Sequence, residues 1–253
     1  MIPPAASLRE ATDAFIHASV LLEKLVPGCV VDDLDGLQHF HYGRPKVGVH
    51  HEIIAGNAAP PDVLPILALH SEIAPAYLTT FTPLDIDRQL LYDAAGLPRV
   101  VRNTLMAYQL PDVAPFADPG LKRLTDATEL RTLALVRGDN VLDVDHFTDA
   151  VRCYALLIDD EPVSSALLIP SLHDTAVIEH VHTLAAYRRR GYGRWLLRAL
   201  HAEAIRLGTH QIVLGSNAAG RPLYTTLNYH PLCFQDVYVA GMSPPGGHQF
   251  EST

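Results

Sequence analysis

The sequence predicts an α/β (α+β) chain: a mixed central sheet flanked by helices, organised as a tandem pseudo-repeat of a truncated and a complete unit. Three observations predict this. A β-branched run, Thr175–Thr183, leads through a glycine turn into an amphipathic helix. Ahead of it, Val151–Ile158 and Val163–Ile169 flank Asp159-Asp160-Glu161-Pro162 and read as a hairpin. Finally, the segment Pro222-Leu223-Tyr224-Thr225-Thr226-Leu227-Asn228-Tyr229 is echoed by Leu90-Leu91-Tyr92-Asp93-Ala94-Ala95-Gly96-Leu97. In both, Leu-Tyr is followed, four residues after the tyrosine, by Gly or Asn and then by an apolar residue.

The elements follow in order. Ser7-Leu8-Arg9-Glu10 has the pattern of a capping box and opens a helix to about Val26. Strands are expected at Leu37–Tyr42 and Val47–Ala55, then a helix from Pro61 to Ile73. The echo of the second half follows: strand Tyr77–Phe81, helix Asp85–Ala95, strand Arg99–Leu110. Gln109–Gly120 holds three prolines without periodicity and reads as a linker. Beyond it, Leu121–Leu124 is the opening strand. Thr125-Asp126 starts helices that run to Gly138 and again from Asp145 to Ala150. After the hairpin and the run to Thr183 comes the amphipathic helix. Leu196, Leu197, Leu200, Ala204 and Leu207 recur there at helical spacing, and Gly208 stands at the stop. Gln211–Gly215 is a short buried strand. Ser216-Asn217 would cap a helix carrying Tyr224, and Leu232–Ala240 is the last strand. The chain thus divides into a degenerate unit (1–110), a linker (111–120), a complete unit (121–240) and a tail (241–253).

The turn Arg188-Arg189-Arg190-Gly191-Tyr192-Gly193 carries the chemistry. It sits where a strand gives way to a helix, whose first amides have no intrahelical partner and whose dipole is positive at that end. Gly191 and Gly193 place no side chain between those amides and an anion. Arg188, Arg189, Arg190 and Arg194 add positive charge. This is a construction for gripping a pyrophosphate.

Arg-x-x-Gly-x-Gly between such a strand and helix resembles motif A of the GCN5-related N-acetyltransferases (GNAT). Downstream residues extend the resemblance over about 120–240: Asn217, then Tyr224 seven residues on, with Gly220 at the small position between them. Where the family has Gly-Phe this chain has Asn228-Tyr229; asparagine tolerates the left-handed backbone almost as glycine does. The resemblance implies the GNAT fold, acetyl-CoA as cosubstrate and transfer of its acetyl group to a primary amine of a small molecule or peptide, by direct attack in a ternary complex. It implies that backbone groups of Val181, His182 and Thr183 pair with the pantetheine arm and acetyl group. The turn Arg188, Arg189, Arg190, Gly191, Tyr192, Gly193 and Arg194 would hold the pyrophosphate. Asn217 would contact the pantetheine, and Tyr224 would be the general acid. Relatives with a base on the strand place it an even number of residues before the Thr183 position. In unbroken alternation Val177, Glu179, Val181 and Thr183 share one face and His180 and His182 the other. Glu179 is therefore the first choice of base, with a histidine or water as alternatives. The first copy has Ala55-Gly56-Asn57-Ala58-Ala59-Pro60-Pro61 where the turn should be, without arginine. It is expected to bind no CoA, to pack, and to wall the substrate side.

Composition bounds the rest. A net charge of −9 over 253 residues disfavours nucleic acid. No stretch approaches the roughly 20 apolar residues of a membrane span, and Met1-Ile2-Pro3-Pro4 lacks the pattern of a signal peptide. Cys29, Cys153 and Cys233, odd in number and widely spaced, point to a reducing cytoplasm. His39, His41, His50 and His51 lack a completing cysteine or carboxylate at metal-ligand spacing and read as strand and loop histidines, so no metal is expected. The expected partners are acetyl-CoA and an amine, with no nucleic acid and no membrane; a homodimer is left open. The rival reading is an acyl-CoA-binding regulatory protein without turnover. A third makes the first half a partner-docking module.

Overall fold

The computed structural model describes residues 7–46, 48–112, 118, 120–137 and 149–241. Besides short 3-10 turns at Ser71–Ile73 and Ala185–Tyr187, seventeen α-helices and strands follow one another in the described residues: α1 (Leu8–Glu23), β1 (Cys29–Leu34), β2 (Leu37–Lys46), β3 (Val49–Ile54), α2 (Pro60–Leu69), β4 (Ala76–Pro83), α3 (Gln89–Ala94), β5 (Arg99–Gln109), β6 (Leu121–Leu124), α4 (Ala127–Arg137), β7 (Arg152–Ile158), β8 (Glu161–Pro170), β9 (Thr175–Thr183), α5 (Tyr192–Arg206), β10 (Gln211–Ser216), α6 (Arg221–Thr226) and β11 (His230–Ala240). The linker's 113–117 and 119, helix positions 145–148 and tail positions 242–253 lie outside the described residues. Strand β1 was not expected; Asp32-Asp33 in its middle hid it, because an edge strand need bury only part of one face.

All eleven strands form one sheet, in the order β1-β2-β3-β4-β11-β5-β10-β9-β8-β7-β6. The order is a pseudo-repeat read from its middle outward. β4 corresponds to β10, α3 to α6 and β5 to β11, and the parallel pair β3–β4 corresponds to β9–β10. The halves exchange their last strands. β5 pairs antiparallel with β10 of the second half, and β11 pairs antiparallel with β4 of the first. The two exchanged strands then pair with each other along the central seam.

The sequence echo has a matching physical form. α3 and α6 end in the same hydrogen bonds: Ala95 N–H and Leu97 N–H donate to Tyr92 O, as Leu227 N–H and Tyr229 N–H donate to Tyr224 O. The residue between them is left-handed in both, Gly96 at φ 76° and Asn228 at φ 64°. Asparagine thus does the work of glycine at the departure from the family pattern.

Helices cover both faces. Ser7 Oγ accepts from Glu10 N–H and the Glu10 carboxylate accepts from Ser7 N–H, so the capping box forms. The stripe Ala11, Phe15, Ala18 and Leu22 of α1 joins Val177 and Val213 in one core, so a first-half helix covers second-half strands. Ser171 Oγ donates to Ala14 O at 2.6 Å and fastens α1 to the β8–β9 turn. On the opposite face, Leu196, Leu197, Leu200 and Ala204 of α5 pack on Leu168, Ile178 and Ile212. Each such buried leucine stabilises by about 1.5–3 kcal/mol.

Candidate active site

The sheet opens where the second half's parallel pair ends. β9 and β10 are bonded only at Thr175–Val177 against Gln211–Val213. Past that point β10 keeps pairing with β5, to Ser216, while β9 stays with β8, to Thr183. The strands splay, and the β10 side of residues 179–183 faces a cleft. In the first half the equivalent pair does not splay. Ala55 N–H donates to Thr79 O at 2.9 Å and Phe81 N–H to Gly56 O at 2.8 Å, so the ladder stays closed through the position of the missing turn. Arg88 caps it from outside, donating to Ala58 O at 2.7 Å.

The cleft has a volume of about 1000 Å³. At one end it is lined by Arg188, Arg189, Gly191, Tyr192, Gly193 and Arg194. Beyond that end it is lined by Val181, His182, Thr183, Asn217, Tyr224 and Glu179. Of the expected site residues only Arg190 is not among its lining; its guanidinium lies 5.9 Å from the centre of the Tyr187 ring.

The turn is held by its own backbone. Gly191 at φ 89° is the N-cap of α5, and no side chain caps the helix. That conformation favours glycine. Arg189 is also left-handed, at φ 64°. Arg188 Nε donates to Thr183 O at 2.9 Å, and Arg194 Nη2 to Thr226 Oγ1 at 3.2 Å. A Cβ on Gly193 would lie 3.4 Å from both Thr183 Oγ1 and Leu223 Cδ2, so the glycine lets strand, helix and α6 close up.

The Asn217-to-Tyr224 spacing is a turn followed by a short helix. α6 starts at Arg221, later than expected, because Asn217 Oδ1 accepts from Gly220 N–H at 2.7 Å and makes a turn of its own. A Cβ on Gly220 would sit 2.9 Å from Tyr224 Cε2, so a small residue there is a condition for the ring's position. Tyr229 packs 5.8 Å edge-on to Tyr224. Its hydroxyl, which the family's phenylalanine lacks, is within 2.8 Å of His201 Nε2. Burial lowers the His201 pKa to about 4, so the pair is a neutral hydrogen bond.

Strict alternation along β9 does not hold. Ser165 pairs with His182 but Leu167 pairs with Glu179, so one more residue lies between the pairs on β9 than on β8. The extra residue is a bulge at His180, left-handed at φ 54°. The bulge breaks the grouping of Glu179 with Thr183. By register Glu179 shares its face with Val177 and His182, on the α1 side, while Thr183 lies with Ile178 on the α5 side. The bulge carries no glycine, so no residue type in β9 marks it.

Burial raises the Glu179 pKa to about 7, against the His180 N–H and Lys46, with Glu23 adding to the rise. Burial and the neighbouring Glu179 also hold the Tyr224 hydroxyl well above the usual tyrosine value. The sign of the linkage is clear for Glu179. Its folded-state pKa lies above its ordinary value, so the native state holds the proton between about 4.5 and 7 and stability falls as pH rises through that window. Glu179→Gln should therefore be the more stable form at pH 8, by on the order of 2 kcal/mol, and equal to wild type at pH 4. Equal denaturation midpoints at pH 8 would contradict this.

The first half supplies part of the remaining lining, including Phe15, Leu22 and Glu23 of α1, Glu52 of β3 and Asn103 of β5. None of these was singled out from sequence; only the sheet order brings them here. His39 Nε2 and His51 Nδ1 lie 3.0 Å apart, and the His41 and His51 rings stack at 4.8 Å. Among the described residues no group of three or more histidine, cysteine or carboxylate side chains is arranged to hold a metal ion.

A splayed parallel pair, an uncapped glycine turn at a helix start and a buried tyrosine thus meet in one cleft. Residues 124–229 match the model of the Acetyltransferase (GNAT) family. No curated protein sequence matches the chain. Among solved structures, a GCN5-related N-acetyltransferase from Kribbella flavida is 20% identical, with a TM-score of 0.61 over 93% of this chain and 96% of that one. A GNAT-family protein from Novosphingobium aromaticivorans is 18% identical, with a TM-score of 0.57 over 93% and 97%. A tandem GNAT protein from the clavulanic acid biosynthesis pathway is 13% identical, with a TM-score of 0.52 over 85% and 84%. The structural likenesses carry the fold across nearly the whole chain, the tandem arrangement included. The family match places a GNAT domain at residues 124–229, and the structural likenesses extend the GNAT fold beyond it. Among the described residues no helix is long and apolar enough to cross a membrane.

Proposed function

We propose that the protein is an N-acetyltransferase that moves the acetyl group of acetyl-CoA to a primary amine by direct attack in a ternary complex. One observation carries this: the wedge between β9 and β10 brings the Arg188–Arg194 turn, Glu179 and Tyr224 into a single cleft. In this reading residues 121–240 carry the chemistry and residues 1–110 wall the acceptor side. The three cysteines are free, which supports a reducing cytoplasm.

Acetyl-CoA supplies an acyl group already activated on a thiol leaving group. Arg188, Arg189, Arg194 and the open amides of α5 bind its pyrophosphate, and Gly191 and Gly193 leave the approach clear. Main-chain groups of Val181, His182 and Thr183, past the end of the β9–β10 ladder, orient the pantetheine arm and the acetyl oxygen, with Asn217 beside them. Glu179, near pH 7, takes the proton that the amine must lose. Tyr224, fully protonated at that pH, gives its hydroxyl proton to the departing sulfur.

Calorimetry with acetyl-CoA and release of free thiol across a panel of amines test the reading together. One site per chain is expected. Arg188→Ala and Gly191→Glu should each weaken acetyl-CoA binding by tenfold or more, about 1.4 kcal/mol. Unchanged affinity in both variants would remove the turn from the site. Tight binding with no turnover on any amine would favour the regulatory reading.

A further inference from the structure

The cleft is electrically divided. The charged side chains lining one end are Arg188, Arg189 and Arg194; those lining the other are Glu23, Glu52 and Glu179, with no lysine or arginine among them. Lys46 is not among the cleft lining, though its side chain is 32% exposed. It bonds to Glu23 and sits 3.6 Å from Glu52, which also accepts from the Tyr42 hydroxyl at 2.9 Å. One ammonium thus faces two carboxylates, and one negative charge is left over before Glu179 is counted. Glu23 Oε2 is shielded from solvent and has no hydrogen-bond partner among the described residues. Buried charges are ordinarily paired, so this arrangement has room for one more cation. Burial raises the Glu23 pKa against the pull of Lys46, with Glu52 adding to the rise, as expected of an undercompensated carboxylate. The first-half lining around the acidic groups is mixed, with Phe15, Leu22, Phe40 and Ile54 beside Ser19, Thr79 and Asn103.

We propose that the acceptor is an aliphatic amine carrying a second cationic group, a short α,ω-diamine or a polyamine, whose distal ammonium docks between Glu23 and Glu52. The inference rests on the acetyl-transfer reading for where the reacting amine lies. The carboxylates select the second charge, and Phe15, Leu22, Phe40 and Ile54 give a methylene chain apolar contact. A carboxylate at the distal position would be repelled.

The test uses the full chain with acetyl-CoA and free-thiol release. The acceptors are 1,4-diaminobutane, 1,5-diaminopentane and spermidine, set against 4-amino-1-butanol and 4-aminobutyrate. The diamines should exceed the amino alcohol in kcat/KM by tenfold or more, and 4-aminobutyrate should be the poorest. Glu23→Gln should lower the diamine-to-amino-alcohol ratio by about tenfold; Glu52→Gln serves should the first variant not fold. Binding of 1,4-diaminobutane is measured beside this by calorimetry in the presence of CoA. Equal kcat/KM for diamine and amino alcohol overturns the inference while leaving acetyl transfer standing. Glu23-dependent diamine binding without turnover upholds the inference and overturns acetyl transfer. Neither binding nor preference overturns the inference.

Discussion

Tyr224→Phe should lower kcat by roughly 10²- to 10⁴-fold, the range for loss of a general acid, while acetyl-CoA affinity barely moves. The substitution removes one oxygen and keeps the ring that Gly220 and Tyr229 hold in place. The side chain is 7% exposed, and burial with the Glu179 charge keeps its proton on at working pH. The acid role and a purely packing role therefore separate in one measurement. If Tyr224 only packs, turnover stays near wild type and the change appears as at most about 1 kcal/mol of stability. Glu179→Gln on the same substrate should lower the rate and remove the acidic limb of the pH profile, near 7. Full turnover by Tyr224→Phe on a good substrate would overturn the mechanism.

The largest loss of stability is expected at a residue outside the cleft lining. Asp236 on β11 is fully buried in the central seam. It accepts from Arg102 Nε at 2.6 Å and Arg102 Nη2 at 2.8 Å, with Arg99 Nη1 at 3.6 Å. Arg102 stacks on Phe234 at 4.2 Å, so it cannot readily swing out to water. Asp236→Ala leaves the two guanidinium groups only the more exposed Asp87 as a shared anion, at 3.5 Å from Arg99 and 3.2 Å from Arg102. Removing one partner of a buried pair costs about 3–5 kcal/mol. Arg99 and Arg102 keep some contact with solvent, 19% and 24%, so the lower end applies. A midpoint drop of about 6–12 °C should follow in a chain of this size. A loss below about 1 kcal/mol in denaturant titration would show that the seam is held by its backbone ladder alone.

The legible part of the sequence was what is written locally. Gly191, Gly193 and the arginines mark a turn because φ and charge are properties of those residues. The period of α5 shows because one helix face buries leucines. Tyr92-to-Gly96 and Tyr224-to-Asn228 could be compared because a helix end needs a left-handed residue at a fixed offset. What stayed hidden depends on partners distant in the chain. The bulge at His180 is visible only as a register shift against β8. The acidic wall of Glu23 and Glu52 comes from α1 and β3, which reach the second half through the sheet order. The need for Gly220 is set by the Tyr224 ring lying against it.

The exchange of β5 and β11 has a consequence for assembly. Neither half owns a complete sheet. Residues 7–112 without β11 would expose the edge of β4 and strand β5 without either of its neighbours. Residues 120–241 without β5 would leave β10 and β11 disconnected. The seam closes only after some 130 residues have been spanned, as between Arg102 and Asp236, which makes late, long-range pairing the slow event of folding. Heat or denaturant should therefore melt the chain in one transition rather than two. Each half synthesised alone should be an aggregation-prone fragment with unpaired edges. The two produced together as separate polypeptides should find one another and restore activity, with neither able to act as a free-standing enzyme.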